Sequence, residues 1–299
     1  MKTGTAFFLF LLSVWFVSCV TQKPDNDYDV SVSSPVFLNH HPNVLFDDGH
    51  SNLHKSTGTY KPFVNLIKND GFVVTSCKSE INSRLLNQHT VLVISNAKGK
   101  EEKHADAFTE NECTVIEKWV RDGGGLLLVA DHYPFGAAVE NLSRKFGVHM
   151  FNGETSDSVY FHGNEQYRDE LVFSKRNGLL HEHPASSGIE TVRSFRGQSM
   201  SIPENAQVLL KFSKYAMHSL PDSIWKEGSK TYTRFADPVS AYGNCQGLAL
   251  QYGKGRVVML GEAAMITAQV YKSEKFGMNT PGNQNRQFAL NIMRWLAGK

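Results

Sequence analysis

Short apolar strands that alternate with helical patterns constrain the fold of this 299-residue chain more than any other feature. Strands are predicted at residues 43–46, 72–75, 91–94, 126–130, 207–212, 247–252 and 256–260. Helices are predicted over 60–69, from a capping box at Thr109 and Glu112 to the glycines at 123–125, and over 284–296. Fully apolar strands need cover on both faces, so the pattern predicts a parallel sheet between helices.

Residues 150–244 interrupt this rhythm. They are rich in Gly, Ser, His and polar aromatic residues, and they predict an irregular insertion with a few strands. The α/β pattern returns in the last two strands, which are separated by a hairpin-like turn at Gly253-Lys-Gly255. Residues 41–299 are therefore expected to form one domain that contains the insertion.

The N-terminus has the layout of a secretory signal. Lys2 precedes a short apolar run, and Ser18-Cys19 follows it, so residues 1–18 are predicted to be a signal peptide. Phe16-Val-Ser-Cys19 resembles the bacterial lipobox, although Phe16 stands where that pattern prefers Leu. The resemblance implies a periplasmic or outer-membrane lipoprotein, attached to the lipid membrane through acylated Cys19. Ordinary secretion and an uncleaved anchor are the alternatives, and polar residues 19–40 are expected to be a tether.

Composition excludes some classes of protein. The 31 basic and 29 acidic residues give a net charge of +2 with no basic stripe, so no nucleic-acid partner is expected. The remaining cysteines, Cys77, Cys113 and Cys245, are scattered and form neither a zinc ribbon nor a disulfide framework. We expect them to be small buried apolar residues.

Polar and ionisable residues follow each clear strand of the predicted sheet. Ligands bind at the carboxyl ends of strands in such sheets. Asp47 and Asn96 follow the first and third strands, and Gln269 lies beyond the last; all three are predicted to bind substrate. Asp131, His132 and Glu262 end two buried strands and are the acid–base candidates.

Asp48, His50 and His54 have side chains that suit a divalent metal such as zinc. His50 and His54 are four residues apart and would share a face on a first helical turn. The competing interpretation is that the aspartates only cap the following helix. His181-Glu-His183 is a weaker candidate for a metal site.

Further polar residues suit sugar hydroxyls or a carboxylate. Arg196, Gln198 and Asn285 are predicted to bind substrate, although runs of this composition also form simple turns. The sequence contains no nucleophile elbow, no phosphate-binding loop, no zinc-protease motif and no dinucleotide fingerprint.

Three segments together resemble the class I glutamine amidotransferase-like superfamily. They are Asp47-Asp-Gly-His-Ser-Asn-Leu-His54, residues 119–132 and residues 286–295. An uncharacterised bacterial branch is the nearest resemblance, with ThuA-like proteins and the N-terminal domain of an intraflagellar transport protein more distant. The resemblance implies a flavodoxin-like three-layer αβα sandwich with a mostly parallel sheet.

The chain departs from the amidotransferase pattern at the nucleophile. The strand that leads into the family's catalytic cysteine leads here into Asp131-His132, which excludes glutaminase chemistry. ThuA-like proteins are associated with carbohydrate utilisation. The chain is thus expected to be an exported hydrolase of a carbohydrate or related small polar substrate, with metal assistance left open. The alternative is a non-catalytic glycan-binding or scaffolding module.

Overall fold

The structure is a computed structural model that describes residues 22–99, 106–163, 170–227 and 230–299. The predicted signal peptide and Cys19 lie outside these residues. The strands, in chain order, are β1 Lys23–Pro24, β2 Asn43–Asp47, β3 Val73–Cys77, β4 Val91–Ser95, β5 Gly125–Val129, β6 Glu154–Asp157, β7 Phe161–His162, β8 Glu170–Ser174, β9 Thr191–Phe195, β10 Ala206–Lys211, β11 Ala216–Ser219, β12 Pro221–Glu227, β13 Lys230–Phe235, β14 Val239–Ser240, β15 Cys245–Tyr252, β16 Gly255–Leu260, β17 Ala268–Tyr271 and β18 Glu274–Gly277. The helices are α1 Lys61–Asn69, α2 Ser83–Leu86, α3 Glu110–Arg121, α4 Phe135–Ala138, α5 Glu140–Arg144 and α6 Asn285–Leu296, with 3₁₀ turns at Pro184–Ser186 and Ala264–Ile266.

Seven strands form the central sheet in the order β10-β15-β16-β5-β4-β2-β3. The five from β16 to β3 are mutually parallel, and β15 runs antiparallel to β16 as the other half of the predicted hairpin. Numbered by sequence, the parallel strands have the order 2-1-3-4-5 that defines a flavodoxin-like sheet. The predicted fold class is therefore confirmed.

Alternation along each strand divides the core between the two faces of the sheet. Val44, Phe46, Val129 and Leu260 pack with α1 and α6 on one face. Residues of opposite parity, such as Leu45 and Leu128, pack on the other face with α3. The capping box predicted at Thr109 and Glu112 begins α3, with both of its hydrogen bonds formed.

The insertion contains more regular structure than its composition predicts. Its described residues contain nine strands, β6 to β14. Eight of them form two small three-stranded sheets and one two-stranded hairpin, and β10 extends the central sheet at its edge beside β15. Most of these strands are short and polar, and several pair with strands distant in the chain, so local pattern gives them little signal.

The segment expected to be a tether is attached to the domain along most of its described length. Strand β1 pairs antiparallel with β17, and the side chain of Phe37 is 3% exposed between the sheet and Phe72. Arg294 of α6 donates to both oxygens of Asp70, beside which this segment passes. Apolar residues spaced among the polar ones explain the docking. No helix in the described part of the chain is long and apolar enough to cross a membrane.

Candidate active site

A cavity of about 360 Å³ opens at the carboxyl ends of β5 and β16. Its lining comes from the loop after β2, the segments that follow β5 and β16, the insertion, β18 and the N-terminal segment. The lining residues are Gln22, Leu53, His54, Asp131, His132, Phe135, Glu154, Phe195, Arg196, Gly197, Glu262, Ala264 and Phe276. This is the edge at which ligands bind in open parallel sheets. The three predicted acid–base residues, Asp131, His132 and Glu262, all line this one cavity.

Strand register brings Asp131 and Glu262 together. Val129 pairs with Leu260 in the parallel ladder, and both lie on the face that packs with α6. Two residues further on, the same alternation directs Asp131 and Glu262 to that face from adjacent strands, which are about 4.8 Å apart in such a sheet. The backbone N–H of Ala263 also hydrogen-bonds the Asp131 carboxylate. The chain therefore places two carboxyl groups side by side beneath one cavity.

Burial raises the pKa of both carboxyl groups. The side chain of Glu262 is 1% exposed, and burial together with the negative charge of Asp131 holds its pKa well above the ordinary value. Burial also raises the pKa of Asp131, against the opposing effects of His132 and of hydrogen bonds from backbone and Asn96. Two such neighbours titrate as a unit, and the first proton is retained to a higher pH than either isolated group would allow.

Glu262 also has a structural role. Its two oxygens accept hydrogen bonds from the backbone N–H groups of Ala264, at 2.6 Å, and Met265, at 2.8 Å. These amides begin a 3₁₀ turn, whose positive end favours a carboxylate. The hydrogen bonds fix the position of the carboxyl group without covering the cavity.

Two buried amides support the loop that carries Asp131. The Asn96 side chain accepts from the backbone N–H of Asp131 at 2.9 Å, and Asn96 itself adopts a left-handed conformation at φ 45°. The amide of Gln198 donates to the carbonyls of Ala130 and Asp131. Both residues were predicted to bind substrate; the structure places them behind Asp131 as positioning residues, fully buried and away from the cavity lining.

His54 lines the cavity as a neutral imidazole. Its Nδ1 hydrogen-bonds the hydroxyl of Thr59 at 2.6 Å, and its ring stacks on Tyr60 with centroids 5.1 Å apart. Burial lowers the pKa of His54 to about 4. The sequence predicted His54 as a metal ligand; the structure instead places it beside the carboxyl pair.

The remaining cavity wall combines charge with aromatic rings. Arg196 donates to Glu154 at 3.0 Å, and Phe195 stacks on Phe276 with ring centroids 3.5 Å apart. Arg196 was predicted from the sequence. Phe195 and Phe276 were not, because stacked rings from distant strands leave no local signal.

The predicted metal ligands Asp48, His50 and His54 each hydrogen-bond other side chains of the protein. Both oxygens of Asp48 accept hydrogen bonds from Ser56, in the turn that precedes α1, and α1 itself has no side-chain cap. Both ring nitrogens of His50 are bonded to carboxylates, Nδ1 to Asp47 at 2.8 Å and Nε2 to Glu112 at 3.0 Å. In the described ranges, no group of three or more His, Cys, Asp or Glu residues could hold a metal ion. That finding includes His181 and His183.

His50 is therefore the centre of a closed ionic cluster. Burial favours the neutral ring, but hydrogen bonds and charge from Asp47 and Glu112 outweigh it and raise the pKa of His50. Glu112 is the capping-box residue of α3, and its hydrogen bonds from backbone hold its own pKa low despite burial. Asp47, predicted to bind substrate, is 0% exposed within this cluster.

Gln269 and Asn285 lie outside the cavity lining. Asn285 exchanges two hydrogen bonds with the backbone of Arg193 and anchors the start of α6. Gln269 lies on β17 opposite Phe276 and Pro24, and neither atom of its buried amide has a hydrogen-bond partner among the described residues.

Comparison with known proteins shows the fold and goes no further. No family model and no curated protein matches the sequence. Among solved structures, the mmIFT52 N-terminal domain is similar over 86% of this chain and 98% of its own, at 15% identity and a TM-score of 0.60. A ThuA-like protein from Parabacteroides merdae matches over 86% and 90% at 14% identity and a TM-score of 0.46. A GMP synthase-like protein from Thermoplasma acidophilum matches over 86% and 96% at 11% identity and a TM-score of 0.44. The likeness to the mmIFT52 N-terminal domain supports the α/β fold alone.

Proposed function

We propose that this chain is an exported, lipid-anchored hydrolase of a small polar substrate, with a carbohydrate as the first candidate. One observation carries the proposal: Asp131 and Glu262 end adjacent buried strands, and both line the same cavity. Pairs of titratable groups with separated pKa values are the usual means of acid–base catalysis near neutral pH.

The carboxyl pair supplies an acid and a base at once. Glu262, with the higher pKa, retains its proton and donates it to the leaving oxygen of the substrate. Ionised Asp131 takes a proton from a water molecule, whose oxygen bonds to the carbon that the leaving group departs. One water is consumed, two hydroxyl products form, and a proton exchange with solvent restores the pair.

The cavity wall suits a neutral, hydroxyl-rich molecule. The apolar faces of Phe195 and Phe276 are typical of surfaces that pack against sugar rings, and Arg196 and His132 bring hydrogen-bonding groups to the same cavity. The cavity also carries the carboxylates of Asp131 and Glu154, which disfavour an anionic substrate. His54, being neutral, adds a hydrogen-bonding nitrogen without adding charge.

The experiment is a screen with the purified full-length protein against chromogenic 4-nitrophenyl glycosides and a mixed oligosaccharide pool in ¹⁸O-water. We expect turnover with ¹⁸O incorporated into one product. An Asp131→Asn variant should lose about 100- to 10 000-fold in rate, the usual contribution of a positioned acid or base. Asp122→Asn is the matched control, since Asp122 pairs with Lys118 on the exposed surface and should leave the rate unchanged.

A glycan-binding module is the second candidate. The backbone hydrogen bonds to both oxygens of Glu262 favour it, because they account for this buried carboxyl group without catalysis. Glycans that bind to the wild-type protein and are recovered unchanged over the whole pH range would contradict the hydrolase and support the module.

A further inference from the structure

The N-terminal segment reaches the cavity before it reaches the core. Gln22, the first described residue, lines the cavity, and the next two residues form β1. Lys23 pairs with Val270 and Pro24 with Gln269, so β1 is hydrogen-bonded to β17 at the cavity wall. The chain therefore joins the domain at its candidate active site.

Chain length limits how far the cavity can lie from Cys19. Gln22 lies three positions after Cys19, and a fully extended chain spans at most about 11 Å over that distance. We propose that acylated Cys19 holds the mouth of the cavity against the bilayer, and that the substrate is the glycan headgroup of a membrane lipid. This inference rests on the proposed function for its anchor and its chemistry.

The surface around this attachment suits a lipid headgroup region. At the tip of the β17–β18 hairpin, Tyr271 is 38% exposed, and the ammonium group of Lys272 lies 5.6 Å from its ring centroid. Lys23 and Lys275 are exposed on the same small sheet, with Glu274 as the acidic residue of the hairpin. Tyrosine is enriched at membrane interfaces, and lysines near an anionic leaflet are attracted to its negative surface.

Leu53 is a second exposed apolar side chain at the cavity. Its side chain is 58% exposed although it lines the cavity mouth. An apolar residue in this position can enter the headgroup region as the mouth meets the bilayer. The opposite edge of the sheet is at the far end of six-residue β16, about 20 Å away along the strand.

Collisional quenching tests the orientation without any need for turnover. Single-cysteine variants Ser273→Cys, at the hairpin tip, and Lys254→Cys, in the turn before β16, are labelled with bimane; Cys77, Cys113 and Cys245 are buried. Full-length acylated protein is reconstituted in phosphatidylethanolamine–phosphatidylglycerol vesicles that carry nitroxide on the headgroup. We expect loss of most fluorescence at residue 273 and little loss at residue 254.

A spacer variant supplies the second measurement. A Gly/Ser insertion of about 20 residues after Thr21 has a root-mean-square span of about 25 Å, which releases the cavity from the bilayer while the anchor remains. Quenching at residue 273 should then fall to the level at residue 254. Equal quenching at both positions in the unmodified chain, or a Cys19 that carries no acyl group, would overturn the inference. If quenching has the expected pattern and no glycoside is turned over, the orientation holds and the hydrolase proposal fails.

Discussion

Two clusters of ionisable residues lie at the carboxyl edge of the same sheet, on opposite faces of it. His50, Asp47 and Glu112 form a cluster in which both ring nitrogens of the histidine are bonded to carboxylates. Asp131 and Glu262 form a pair that faces a cavity, and the negative charge of Asp131 disfavours ionisation of Glu262. In the first cluster, each carboxylate is hydrogen-bonded to the same histidine ring. The second holds a proton at raised pKa, and we expect chemistry only there.

The largest effect should come from changing either member of the carboxyl pair. Asp131→Asn and Glu262→Gln are each expected to lower the hydrolysis rate by about 100- to 10 000-fold, and the double variant to lose no more than the worse single variant. Groups that act as one unit give such non-additive losses. Steady-state hydrolysis rates of the two single variants and the double variant measure this non-additivity. Losses of activation free energy that add strictly in the double variant would show that the carboxyl groups act independently.

His50→Ala should lower the stability of the protein, whereas changes to the carboxyl pair should lower the hydrolysis rate. The change leaves Asp47 and Glu112 buried without their shared partner, which typically costs about 3–5 kcal/mol of unfolding free energy. The pKa of His50 is raised, so its stabilising contribution is complete below about pH 6.5 and is lost as the pH rises through the raised value. Urea unfolding at pH 6 and pH 9 should therefore show the larger loss at pH 6.

The control for this variant is His149→Ala, which removes an ion pair with Glu140 from a partly exposed histidine. It should cost less than about 1 kcal/mol. The rate per folded molecule should be unchanged in both histidine variants. A His50→Ala protein of normal stability would show that the cluster is not closed.

Gly197→Ala should distort the cavity wall, because the added methyl group collides with neighbouring atoms. Gly197 has a φ of 68°, and a Cβ there would lie 2.4 Å from the Gly261 carbonyl oxygen and 2.8 Å from the Cβ of Glu262. We expect a loss of about 1–3 kcal/mol in stability together with a lower rate, because Glu262 must move. Gly178→Ala is the matched control, since Gly178 has a φ of 72° and no atom within 4 Å of the added carbon. Equal losses of rate in the two variants would contradict the explanation.

The smallest effect is a change in how stability depends on pH. Because the pKa of Glu262 is raised above its ordinary value of 4.5, its stabilising contribution is complete below that value and is lost as the pH rises through the raised pKa. Glu262→Gln removes this loss, so the wild type should lose more stability than the variant between pH 5 and pH 8. Parallel stability curves from denaturant unfolding would indicate that Glu262 is ionised throughout.

The same contrast shows what sequence patterns can resolve. Asp47, His50, Asp131 and Glu262 were all found because each follows an apolar strand, and parallel topology brings strand ends to one edge. Their roles could not be assigned in this way. The partner that closes the first cluster, Glu112, is about sixty residues away on α3, and its sequence signature was that of a helix cap.

The sequence by itself determined the layers, the parallel sheet and the edge at which ionisable residues gather, because apolar periodicity and helix caps are local properties. Tertiary structure decided which of those residues are neutralised and which remain available. It paired His50 with two carboxylates, brought Phe195 and Phe276 together across the chain, and placed Gln22 in the cavity wall. The physical reason is that desolvation and partner charges act through space, so the chemical state of a buried group depends on neighbours that the sequence does not place beside it.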